Sequence, residues 1–154
     1  YPLRRQRQMC IRDSFLPLLV ILTFVIGSLA NIYINADDWY LNLTKSSLNP
    51  PSVVFGIVWP ILYAIMAFVS FKMADKIAGL FIMQLVTNAA WSWIFFYFHA
   101  PLIALIDISI LIVLNLKIMK ILKGESTLLL YLYLPYLIWL LFAAFLNASI
   151  VFLN

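Results

Sequence analysis

A chain of 154 residues that is 66% apolar and only 10% charged is not a water-soluble domain, which carries roughly 25% charged residues and leaves about a third of its unfolded surface in water at this size. Part of its solvent has to be lipid. The net charge of +4 is too small, and too concentrated in connectors, for a nucleic-acid partner, and the single Cys10 excludes an intramolecular disulfide.

Residues 1–14, YPLRRQRQMCIRDS, are basic and give way abruptly to apolar sequence at Phe15. They read as a disordered basic tail that anchors at a membrane surface, or as a scar of cloning or sequence assembly to be set aside from fold reasoning. The second reading is favoured. Five spans then follow, judged against the roughly 20 residues a bilayer requires. They fall at 15–34, 52–71, 77–98, 102–119 and 128–153. The connectors are 35–51, 72–76, 99–101 and 120–127, and only the first has length to spare. The expected fold is all-α: one five-transmembrane-helix bundle over 15–154, without a soluble appendage or an internal repeat.

Charge orients this bundle. Arg4, Arg5, Arg7, Arg12, Lys72, Lys76, Lys117, Lys120 and Lys123 fall on one side, nine basic residues against Lys45 alone on the other. The positive-inside bias predicts a cytoplasmic N-terminus and an external first connector.

The most informative stretch is 39–63. A Trp39-Tyr40 pair and Lys45 sit in the polar connector, Pro50-Pro51 stop it, and Ser52 can cap the next helix. Phe55, Trp59 and Tyr63 then recur every four residues, an aromatic wall on one helix side. The long connector can fold over it as a lid. In the third span Gln84, Asn88, Trp91 or Ser92, and Phe95 share a face. Amides in hydrocarbon need partners, so Gln84 and Asn88 must point inward. Whether they bridge helices or hold a ligand is open on residue type alone.

The fifth span aligns Tyr136, Trp139 or Leu140, Ala143 and Asn147, and Pro135 predicts a kink by freeing the Tyr131 carbonyl. Tyr131 and Tyr133 suit an interfacial belt. Trp139 suits it less, about 16 Å into the helix. Asp107 is the acid well inside a span: a proton-linked role, a bond to Asn88 or Asn115, and simple protonation are its alternatives. His99 is the sole histidine and reads as solvated and interfacial rather than as an iron ligand. No metal site is expected.

These residues resemble the TspO/MBR family, the tryptophan-rich sensory proteins or translocator proteins. The likeness lies in Trp39-Tyr40, Leu43, Lys45, Pro50-Pro51, Phe55, Trp59 and Leu62-Tyr63; in Gln84-Leu85, Asn88, Trp91 and Phe95-Phe96; and in Pro135-Tyr136-Leu137, Trp139, Ala143 and Leu146-Asn147. It runs from about residue 15 to the C-terminus. The resemblance implies a homodimer and a ligand pocket that counterparts of Asn88, Trp91, Trp139 and Ala143 line. With the aromatic wall it predicts binding by Tyr40, Trp59, Tyr63, Asn88, Trp91, Trp139, Ala143 and Asn147, under a lid with Trp39 and Lys45. The pocket is expected between the second, third and fifth spans.

The chain departs from the family pattern at Ser46 and Leu48, where a Pro and an aromatic are usual, so a looser lid is expected. Its end, LNASIVFLN, lacks the Tyr and basic residue of the sterol-recognition motif. Three functions follow from the resemblance. The first is a membrane receptor or sensor for flat apolar ligands, porphyrins foremost, with Asn88 as a polar handle and Lys45 able to meet a propionate. The second is a light-dependent porphyrin-degrading enzyme using Trp59 and Trp139, as reported of some bacterial relatives. The third is a tetrapyrrole, lipid or sterol transporter. No cofactor is required by any of them, and the sequence offers no nucleophile–base pair.

Overall fold

The computed structural model describes residues 2–36 and 38–154, with side chains from residue 15 onward. The expectation for the tail at 1–14 lies outside the described side chains. Helix α1 spans Pro2–Leu29 and runs on as a 3-10 turn, Ala30–Ile34. A short α2, Trp39–Asn42, follows in the connector. Then come α3 (Ser52–Ser92), a π-helical turn (Trp93–Tyr97), α4 (Pro101–Glu125) and α5 (Thr127–Leu153). Strands are absent among the described residues.

Four stretches are long and apolar enough to cross a membrane: Phe15–Ile34, Ser52–Tyr97, Pro101–Glu125 and Thr127–Leu153. The second of these, at 46 residues, would reach about 69 Å if straight, twice a bilayer's core. It is not straight. Met73 leaves helical geometry (φ −121°, ψ 20°), and the Tyr63 hydroxyl donates to Asn88 Oδ1 across 25 residues. A straight helix would hold those residues about 37 Å apart. Gln84 Nε2 likewise reaches Met66 Sδ at 3.6 Å. α3 is therefore a hairpin of two antiparallel arms, folded near Met73. The expected connector at 72–76 is a single non-helical residue, because FKMADK has neither Gly nor Pro to end a helix.

The helix starts also differ from expectation. Pro51, not Ser52, occupies the N-cap of α3, without a side-chain cap. Ser126 caps α5 instead, accepting from the Leu129 amide at 3.3 Å. Pro101 begins α4, where its missing N–H costs nothing. α1 packs along α3, α4 lies between α3 and α5, and α5 closes the bundle.

Candidate functional site

The centre of the bundle holds polar side chains with nowhere to go but to one another. Gln84 and Asn115 are fully buried, as are Tyr133 and Tyr136, and Asn88 nearly so. Tyr63 donates to Asn88 Oδ1, and Asn88 Nδ2 donates to the Tyr136 hydroxyl at 2.8 Å. Tyr136 donates to Gln84 Oε1 at 2.8 Å, which also accepts from Asn115 Nδ2 at 3.3 Å. Tyr133 donates to Asn115 Oδ1. One chain of bonds thus joins both arms of α3 to α4 and α5, with the donors converging on Gln84 Oε1. Tyr133, expected in an interfacial belt, is instead fully buried in this chain, whereas Tyr131 is exposed. Asn115 was legible as a lone amide in an apolar run, but nothing in the sequence paired it with Gln84 and Tyr133.

Aromatic rings flank this network. One turn toward the 35–51 connector come Trp59, four residues before Tyr63, Trp91, three after Asn88, and Trp139, three after Tyr136. The Trp59 and Trp139 rings meet edge to face at 6.3 Å. Phe55 abuts Trp139 at 5.7 Å, and Trp59 abuts Tyr63 at 5.8 Å, so the aromatic wall faces α5. Ala143, one turn above Trp139, is buried and adds no bulk. Trp139 Nε1 is buried without a hydrogen-bond partner. Such an orphan N–H costs on the order of 1–3 kcal/mol, and natural interiors rarely leave one without a use.

Trp91 and Asn147 form a clasp at the next level. Trp91 Nε1 donates to Asn147 Oδ1 at 2.9 Å, and Asn147 Nδ2 donates to the Pro101 carbonyl at 2.8 Å. Asn147 therefore ties the start of α4 to α3 and α5, and both its polar atoms are engaged. Trp91 stacks on Phe95 at 5.2 Å. The π-helical turn after it splits the aromatic run in two. Trp93 Nε1 donates to the Ile26 carbonyl of α1 at 2.9 Å, whereas Phe95 and Phe96 turn to the connector.

The connector closes this end. Tyr40 meets Phe95 and Phe96 edge to face at 6.1 and 5.3 Å. Trp39 stacks flat on His99 at 4.4 Å, an imidazole at φ 53° and thus in the left-handed region. Lys45 folds back on its own loop: Nζ donates to the Tyr40 carbonyl at 2.8 Å and sits 4.4 Å from the Tyr40 ring centre. Burial pulls the Lys45 ammonium below its ordinary pKa. Burial pushes the Tyr40 hydroxyl up, against a smaller opposing hydrogen bond from Asn49. Asn154, at the end of α5, exchanges two bonds with the Thr44 backbone, each 2.9 Å. This latch has a direct consequence. Asn154→Ala is expected to speed hydrogen exchange of the Thr44 amide about fivefold, the equivalent of about 1 kcal/mol, with α4 amides unchanged.

Of the eight residues expected to bind a ligand, Tyr63 and Asn88 belong to the polar network, Trp59 meets Trp139 and Tyr63, Trp91 bonds Asn147, and Tyr40 meets Phe95, on which Trp91 stacks. One expectation changes. Asp107 does not bond the amides of Asn88 or Asn115, which donate elsewhere, and its buried Oδ2 has no partner. A cavity of about 220 Å³ lies between α1 and the first arm of α3, away from the lid. Among the described residues no cluster of metal-ligating side chains forms.

The outside of this molecule is as apolar as its core, and its few buried amides are paired inside. Gln84 and Asn115 are 0% exposed while Leu18 is 62% and Val86 66% exposed, the partition that a hydrocarbon solvent selects. With four apolar stretches of spanning length, it is a multi-pass integral membrane protein. The chain belongs to the TspO/MBR family, whose model matches residues 15–153. It is 35% identical to the tryptophan-rich protein TspO of Archaeoglobus fulgidus, over 78% of this chain and 82% of that one. It is 37% identical to the protein of the same name from Chlorobaculum tepidum, over 77% and 81%. The human translocator protein is 33% identical over 71% of this chain and 70% of its own length.

Proposed function

We propose that this protein is a membrane receptor that encloses a flat apolar ligand, of which porphyrins are the first class to test, between the aromatic wall and the lid. The observation that carries the reading is the unpartnered Nε1 of Trp139, buried beside Trp59 and Phe55. A ring-shaped ligand with a polar edge offers stacking to the indoles and an acceptor to that N–H. The two rings now touch, so binding must part them. Asn88 enters the ligand's reach only by giving up a bond to Tyr63 or Tyr136. Lys45 gives up the Tyr40 carbonyl if it is to meet a propionate. The names of the relatives support a sensing or translocating role. Titrating a porphyrin into the detergent-solubilised protein in the dark tests this. Saturable quenching of tryptophan fluorescence at one ligand per chain is expected, and its absence sinks the reading.

The second reading is photochemical: an excited porphyrin held against Trp59 and Trp139 exchanges electrons with the indoles and is degraded. The edge-to-face pair favours it, since the two indoles come from different helices and already meet. Transport of tetrapyrroles, lipids or sterols is the third. Flux into proteoliposomes tests it.

The α3 hairpin supports five crossings, with a cytoplasmic N-terminus by the basic asymmetry. Single cysteines at positions 45 and 123 are expected to react with an impermeant maleimide from opposite sides of the membrane. Labelling from the same side overturns the topology. A homodimer is proposed from the family resemblance, and crosslinking in native membrane checks it.

A further inference from the structure

We propose that the groove between α1 and the first arm of α3 is a seat for one acyl chain of an anionic phospholipid, whose headgroup sits at Lys72. Val20, Ile21 and Phe24 form one wall, and Pro60, Tyr63, Ala64 and Ala67 the other. The groove exists because the α3 side is small: Pro and two Ala stand where neighbouring lipid-facing positions carry Ile57, Ile61 and Phe68. It lies on the membrane-facing side of the bundle, so its occupant is drawn from the lipid.

The wall of the groove continues along the same helix face. One turn beyond Ala64 is Phe68, one turn beyond Ala67 is Phe71, and one turn beyond Phe68 is Lys72. Phe68 and Phe71 are exposed and flank an ammonium 5.8 Å from each ring centre. Helical side chains lean toward the N-terminus, so Lys72 leans back toward the groove, about 7.5 Å along the axis from Ala67. The arrangement runs from an apolar slot through two aromatic faces to a cation at the membrane edge. That order matches an acyl chain, a glycerol backbone and a phosphate. Other charges at the turn are Asp75 and Lys76, and Lys76 is bridged to Glu125 at 3.8 Å. Lys72 is the turn's cation on the groove face. The groove touches the Tyr63 ring, whose hydroxyl bonds Asn88 in the core, but it opens to the lipid side and needs no ligand near the connector.

The test uses the full chain in neutral detergent with palmitoyl-oleoyl phosphatidylglycerol or phosphatidylcholine added, followed by native mass spectrometry and thermal melting. One phosphatidylglycerol is expected to be retained about fivefold more tightly than phosphatidylcholine, the discrimination of about one basic contact. Lys72→Gln, an exposed change, is expected to abolish that preference and leave phosphatidylcholine binding as it was. Ala64→Leu, an exposed change that fills the slot, is expected to weaken both lipids about tenfold. Equal retention of the two lipids by the wild type overturns the proposal, as does a preference that survives Lys72→Gln. Displacement of the lipid by soluble glycerol phosphate also overturns it, because the site would then recognise a headgroup alone.

Discussion

Replacing Gln84 by Leu is expected to destabilise the bundle by about 2 kcal/mol in a reversible SDS-unfolding titration, more than the same change at Asn88. Gln84 Oε1 is the convergence point of the network, taking the Tyr136 hydroxyl and Asn115 Nδ2 together. Leu keeps the volume and removes that acceptor, so the fully buried Tyr136 hydroxyl loses its partner and Asn115 Nδ2 is left with the Leu111 carbonyl alone. A stranded donor costs on the order of 1–3 kcal/mol. The membrane lowers the figure, since interhelical bonds there average about 0.6 kcal/mol against an unfolded state that finds other partners. Asn88→Leu strands the Tyr63 hydroxyl, while Tyr136 keeps Gln84 as its acceptor. Its cost is expected at about 1 kcal/mol, with the fold preserved and porphyrin affinity weaker by roughly 1–2 kcal/mol through the disturbed network. If Gln84→Leu unfolds with the wild type, the network contributes nothing to stability. Its amides would then serve a ligand.

The contrast between those two residues marks where sequence reasoning reached and where it stopped. That Gln84 and Asn88 face inward follows from hydrocarbon's inability to solvate an amide, a one-body argument that the sequence carries in full. Their partners do not follow from it. Which tyrosine meets which amide depends on axial register between helices, and apolar helices of similar length slide past one another with little change in buried area. The near-uniform apolar surface of α3, α4 and α5 carries no stripe that would fix register, so Tyr133 looked like a belt residue until Asn115 stood opposite it. The turn at Met73 was placed to within a few residues by charge alone, Lys72, Asp75 and Lys76, yet its form was hidden because no Gly or Pro marks it. The aromatic wall was legible because a four-residue period needs only one helix. The lid was legible as a length, while its fastening to Asn154 joins residues 110 positions apart.

Trp139→Phe is expected to leave the protein as stable as the wild type or more so, and to bind porphyrin about tenfold more weakly. The two effects have one origin. Trp139 Nε1 is a buried donor without a partner, and its removal relieves a desolvation cost. Phe still offers a ring to Phe55 and Trp59, so packing is largely retained. In the complex the same N–H is the group that meets a polar atom of the ligand, and losing one such bond is worth about 1.4 kcal/mol, a factor of ten. Trp59→Phe separates stacking from donation: it keeps an aromatic face and is expected to lower affinity less than threefold. Illumination then divides receptor from enzyme. If indole electrons drive degradation, porphyrin loss at saturating ligand falls sharply in Trp59→Phe and in Trp139→Phe, because phenylalanine is far harder to oxidise. If both variants bleach the bound pigment at the wild-type rate, the chemistry belongs to the porphyrin and dissolved oxygen. A Trp139→Phe protein that binds as tightly as the wild type removes the orphan N–H from recognition altogether, and with it the observation on which the receptor reading rests.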